Sequence, residues 1–168
     1  FDPETSWGYR RDQPHALQVL GRELGDNAAL AEAIATYEQA LDLAPRATHS
    51  DDWARTQNNL GTALSILGER ESDTATLERS VEAYEAALLE WTRERAPLSW
   101  AYSRHGLAHT LELLAEREGD DVQLRQAIAA MEDAAAVYAE GGVSYWLPVA
   151  EESLARMRGK LAKMTTRE

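Results

Sequence analysis

Between Asp51 and Arg70 the apolar positions Trp53, Leu60, Leu64 and Leu67 return close to every three or four residues, which places them on one face of an α-helix. A second such face follows from Ala75 to Arg95, carried by Leu77, Val81, Tyr84, Leu88 and Trp91. Only the polar break Glu71-Ser72-Asp73-Thr74 separates them, so the two stretches read as a helix–turn–helix pair. The first helix of each pair stops where Gly25, Ser72 or Gly119 permits a turn. Asp26, Asp73 and Asp120 then stand where a helix N-cap belongs, and a short carboxylate there accepts a backbone N–H for ~1 kcal/mol. Asp120 is also followed by Gln123 at capping-box spacing. Pro45, Pro97 and Gly141-Gly142 punctuate the links between pairs, and Pro148 fits the first turn of a closing helix.

The pattern repeats with a shift of 47 residues. Leu20-Gly21 falls on Leu67-Gly68 and then on Leu114-Ala115; Leu30, Leu77 and Leu124 coincide, as do Ile34, Val81 and Ile128. Tyr37, Tyr84 and Met131 share one position, Ala40, Ala87 and Ala134 another, and Trp53 recurs as Trp100. Before the first full copy the match fades, which predicts a shortened opening helix beginning near Asp12. After residue 142 it weakens again: Leu154 and Leu161 fit, but Arg158 replaces an expected leucine, as suits a cap with a polar outer face.

Composition narrows the function classes. The chain has 168 residues, enough for one domain with a sizeable core, and Ala and Leu dominate its apolar share. Twenty-nine acids against 17 bases give a net charge of -12, which argues against nucleic acid and favours a basic or neutral partner. Arg156, Arg158, Lys160, Lys163 and Arg167 gather at the C-terminus, a cluster read as helix-terminal charge or a frayed tail. Without cysteine, disulfides, thiolate chemistry and Cys-type zinc sites are excluded. No apolar run has the length of a membrane span and no signal peptide is visible, so a cytoplasmic setting is the default expectation. Beginning on Phe1 rather than Met, the sequence reads as a piece of something longer.

Ala33-x-x-x-Tyr37-x-x-Ala40-Leu41-x-x-x-Pro45 resembles the second half of a tetratricopeptide repeat. Leu60-Gly61-x-x-Leu64 resembles the first half, followed by Ser80-x-x-x-Tyr84-x-x-Ala87-Leu88, and Leu107-Ala108-x-x-Leu111 with Ala127-x-x-x-Met131-x-x-Ala134 forms a looser third copy. The usual period is about 34 residues; here seven more lie at the turn within each pair and six between pairs, as in the long-helix bacterial variant that the pattern resembles. The signature tryptophan is replaced by Gln57 and Arg104, with Trp53 and Trp100 one turn earlier. The resemblance implies an all-α fold: a right-handed α-solenoid of three helix-turn-helix repeats plus a C-terminal capping helix, in one domain over 1–168. The repeats would fall at about 6–45, 50–95 and 97–140 and the cap at about 145–164. Close crossing within a pair needs small residues, for which Gly61 with Ala87 and Ala108 with Ala134 would serve.

In proteins that the sequence resembles, the first helix of each pair lines a concave groove that holds a peptide. Carried over, the groove candidates are Arg11, His15 and Gln18 in the first pair, Arg55, Asn58, Thr62 and Ser65 in the second, and Tyr102, His105, His109 and Glu112 in the third. Amides, hydroxyls and imidazoles pair well with a peptide backbone, whereas solvated faces favour Glu and Lys, as at Glu78, Glu82 and Glu85. His105, His109 and Glu112 share one helical face within reach of a metal, but no Glu lies inside the His pair and no further ligand is indicated, so the histidines read as groove side chains. No phosphate loop or catalytic arrangement stands out, and Tyr145 and Trp146 beside Pro148 read as an exposed apolar edge. The expectation is a non-enzymatic adaptor without metal or cofactor, binding a peptide or protein segment and neither nucleic acid nor membrane. The alternative is a structural module: a self-associating scaffold, hence a homo-oligomer, or a spacer or regulatory part of a larger signalling protein.

Overall fold

A computed structural model describes residues 15, 17–19, 21–43, 46–72 and 74–165, and every regular element among them is helical. The opening helix placed near Asp12 starts outside the described residues; 17–19 and 21–24 are helical. Six helices follow: α1 (Asn27–Leu43), α2 (Ser50–Glu71), α3 (Thr74–Leu88), α4 (Pro97–Glu118), α5 (Asp121–Glu140) and α6 (Trp146–Thr165). The chain divides into two compact units, Phe1–Glu90 and Trp91–Glu168. In the first, α1 packs on α2 and α2 on α3; in the second, α4 packs on α5 and α5 on α6.

The turn chemistry follows from the sequence. Asp26 Oδ1 accepts the backbone N–H of Ala28 and Ala29 at 2.9 and 3.1 Å, and Asp120 Oδ1 those of Val122 and Gln123 at 2.8 and 3.2 Å. Asp73 and Pro45 lie outside the described residues. Gly25, Ser72 and Gly119, the equivalent stops before these caps, all take left-handed backbone, with φ of 71°, 55° and 69°. Glycine reaches that region without a Cβ penalty, and Ser72 holds it within the same tight turn. The capping box is only half formed. The Gln123 amide donates to Glu118 at 3.1 Å, and the Asp120 N–H goes to the Ala115 carbonyl at 3.2 Å.

Two expectations need correcting. The second helix of the middle pair stops at Leu88, short of Arg95. Its last turn tightens into i→i+3 bonds from Leu89 to Ala86 and Glu90 to Ala87, and Arg46 holds Glu90 at 2.6 Å. Close approach within this pair is set by Gly61 against Tyr84 rather than against Ala87. A Cβ on Gly61 would lie 3.1 Å from three atoms of the Tyr84 ring, while Ser80 Oγ donates to the Gly61 carbonyl at 2.7 Å. At the equivalent positions of the second unit stand Ala108 and Met131, both buried in one core: a flexible thioether replaces the ring where a methyl appears opposite.

A substitution test follows. Gly61→Ala should incur about 1–3 kcal/mol of overpacking, offset by about 1 kcal/mol of helix propensity, for a net loss near 1 kcal/mol. Adding Tyr84→Met should relieve the clash, so that chemical denaturation of the four cycle members shows favourable coupling; additive losses would contradict it.

The first unit's core joins Leu30, Ile34 and Tyr37 of α1 to Leu60, Leu64 and Leu67 of α2 and Ala83 of α3. The second joins Ala101, Ala108 and Ala115 of α4 to Leu124, Met131 and Tyr138 of α5 and to Ala150, Leu154 and Met157 of α6. The small side chains on α4 and α5 let those helices approach closely. Each link between pairs is clamped alike. Arg46 lies 5.1 Å from the Trp53 ring and pairs with Glu90; 47 residues on, Arg93 lies 5.9 Å from the Trp100 ring and pairs with Glu140 at 2.6 Å.

Candidate functional site

The groove candidates among the described residues sit on the first helix of each pair, and the structure treats the three sets differently. In the opening pair Arg11 lies outside the described residues, His15 is exposed and Gln18 is buried. The Tyr37 hydroxyl donates to Gln18 Oε1 at 2.9 Å, and burial pushes that phenol well above its ordinary pKa. Gln18 thus satisfies a core tyrosine rather than facing a ligand.

On α2, Arg55 is exposed and donates to Asp51 at 2.8 Å, an i,i+4 pair in the first turn. Asn58 and Thr62 are half-buried and Ser65 is buried. Thr62 Oγ1 lies 3.0 Å from both the Asn58 carbonyl and the Tyr84 hydroxyl. Donating to the first, it is left to accept from the second. Burial pushes the Tyr84 phenol up to about 12.

On α4 the candidates meet the closing helix. Tyr102 and His105 pack on Trp146, with ring centroids 6.0 and 5.4 Å away, and both also approach Tyr138 on α5. His105 Nδ1 is buried and has no hydrogen-bond partner among the described residues. Burial, with His109 and Arg156 nearby, pulls the His105 imidazole down to a pKa of about 4, so it is neutral at pH 7. His109 is half-buried one turn on.

Glu112 is only 2% exposed. Arg156 grips both its oxygens through Nε and Nη2 at 2.9 and 2.8 Å, and Lys160 donates to one at 2.6 Å. Burial pushes the carboxyl up, but the hydrogen bonds from Arg156 and Lys160 outweigh it and hold the carboxyl below its ordinary value. The same contact raises the Arg156 guanidinium. Lys160 also meets Glu116, and Arg158 pairs with Glu132 at 2.6 Å. Arg156, Arg158 and Lys160, read as part of a terminal charge effect, are therefore partners of α4 and α5 carboxylates, one of them deeply buried, while Arg167 lies outside the described residues. Sequence spacing does not reveal this, because Glu112 aligns with Gly159, between its two cationic partners.

His105, His109 and Glu112 are thus separated chemically: one imidazole lies among aromatic rings and the carboxylate is fully engaged. No group of three or more potential metal ligands is assembled among the described residues. Nor is any helix among them long and apolar enough to cross a membrane. Of the expected exposed edge only Tyr145 is exposed; it stands edge-on at 5.1 Å to Trp146, which is half-buried against the second unit's core. Comparison with family models, with curated proteins and with solved structures returns no match.

Proposed function

We propose that the chain is a binding module of the tetratricopeptide type. Its helix pairs propagate as a right-handed α-solenoid closed by α6, and a peptide or protein segment is taken on the α2 face that bears Arg55, Asn58 and Thr62. One observation carries this reading. In a chain of which 27% is charged, α2 has no charged residue from Thr56 to Gly68, yet Asn58, Asn59, Thr62 and Ile66 within it remain partly accessible. Helix faces that serve only solvation carry Glu and Lys, whereas the centres of binding surfaces are depleted in charge. Amide and hydroxyl groups pair with a peptide backbone, and the net charge of -12 favours a basic or neutral segment.

Recovery of a partner by pull-down and mass spectrometry supplies the ligand for the test. Arg55→Ala and Asn58→Ala should each weaken its binding by about tenfold, or ~1.4 kcal/mol, with an unchanged melting temperature. Calorimetric affinities equal to the parent's in both variants would remove the proposal's basis.

The exposed edge favours a second reading, self-association. Tyr145 is 72% exposed and packs on Trp146, which also meets Tyr102, itself 40% exposed. Light scattering separates the two, since a scaffold forms a stable oligomer and an adaptor a monomer.

A further inference from the structure

The two units carry the same helix pair, so each serves as a control for the other. Where the second unit has Arg104 on α4 and Asp133 on α5, the first has Gln57 on α2 and Ala86 on α3. Arg104 and Asp133 form an ion pair, and the Arg104 guanidinium lies 5.7 Å from the Trp100 ring. In the first unit both side chains are shorter and uncharged, and a cavity of about 340 Å³ opens between them. Leu60 and Leu64 on α2 form its apolar wall, with Arg79 and Glu82 on α3 at its margin. Arg79 is held by Glu38 of α1 at 2.5 Å, while Glu82 carries no ion pair among the described residues. Glu82 stands one helical turn before Ala86, close to the place that Asp133 takes in the second unit.

We infer that this cavity receives the arginine side chain of a basic protein segment, its methylenes along Leu60 and Leu64 and its guanidinium on Glu82 and the Gln57 carbonyl. The molecule itself supplies the precedent, since the equivalent position is filled by its own guanidinium on a carboxylate. A planar guanidinium with an apolar stem suits a site with an apolar wall and an acidic rim better than a compact ammonium does. The volume lies at the lower end of the range for ligand pockets, enough for one side chain and not for a large cofactor. At about 100° per residue, Gln57, Leu60 and Leu64 lie roughly opposite Asn58 and Thr62 on α2. The site is therefore separate from the proposed peptide face, and either can fail without the other.

The test titrates the full chain with capped tetra-arginine, tetra-lysine and tetra-citrulline peptides at 0.15 M salt, followed by amide NMR shifts. Tetra-arginine should perturb Gln57, Glu82 and Ala83 most, and bind about threefold tighter than tetra-lysine and about tenfold tighter than tetra-citrulline. Glu82→Gln should weaken tetra-arginine about threefold to fivefold, as expected for a partly exposed charge pair. The double variant Gln57→Arg with Ala86→Asp rebuilds the second unit's pair inside the cavity, and should fold and lose the localised shifts. Equal binding of the arginine and lysine peptides, shifts spread evenly over the acidic surface, or unchanged affinity in the double variant would each overturn the inference. Should that variant not fold, Glu82→Gln decides alone, and an affinity equal to the parent's overturns it.

Discussion

Replacing Arg156 and Lys160 together by methionine is expected to cost about 3–5 kcal/mol, because it strands the Glu112 carboxylate in a site that water does not reach. The parent site satisfies both carboxylate oxygens, with the bidentate Arg156 contact and the Lys160 bond. Their own exposure, 44% and 33% of the side chains, leaves the two cations little to lose, so the penalty falls on the 3% exposed carboxylate. Adding Glu112→Gln should return most of the loss, since an amide needs no counter-charge. Denaturation in urea, with the m-value as a check on the unfolded state, reads the effect. A double variant within about 1 kcal/mol of the parent, or a triple variant no better than the double, would show that the carboxylate is not the burden described.

Acid should destabilise the second unit well before ordinary carboxylates titrate. The His105 imidazole has a folded pKa of about 4 against an ordinary 6.5. Between those values the unfolded chain binds a proton that the folded chain refuses, so stability rises with pH through this window, is complete above it and falls as pH drops. At about 1.4 kcal/mol per unit the loss is on the order of 2–3 kcal/mol by pH 4. Glu112 acts in the same sense lower down: its depressed carboxyl contributes stability above its unfolded pKa, which is lost as pH falls through the folded one. His105→Phe, which keeps a ring against Trp146 and Tyr138 and removes the orphaned nitrogen, should flatten the pH 4–6.5 profile and leave the lower limb intact. A variant whose melting temperature follows pH as the parent's does would place the acid sensitivity elsewhere.

What the sequence reveals here depends on the range of the interaction. The caps at Asp26 and Asp120 and the left-handed stops at Gly25, Ser72 and Gly119 are local, and each is readable within five residues. The 47-residue period locates equivalent helices, and the extent of α2 and α6 follows almost to the residue. Complementarity is another matter. A period pairs like with like, while Glu112 needs partners unlike itself, 44 and 48 residues on. That is why the face with His105, His109 and Glu112 read as open although α6 contributes Trp146, Arg156 and Lys160 to it. Gln18 and Ser65 read as groove side chains for the same reason, since neither residue's spacing reveals its burial. Gln57 and Arg104 are legible as departures from the repeat signature, but only their packing shows Arg104 filling space that Gln57 leaves open.

The arginines at 46 and 93 impose a division of labour on the repeat. Each is fastened to a tryptophan at the start of the next helix and to a glutamate at the far end of the following one, so three points remote in sequence are tied at one end of a hairpin. With spacing held at the rim, the interior is released to vary: glycine under a tyrosine ring in one copy, alanine beside methionine in the next. A hairpin that keeps its fastening can therefore exchange its filling, and sequence drift in the interior need not carry the outer surfaces out of register.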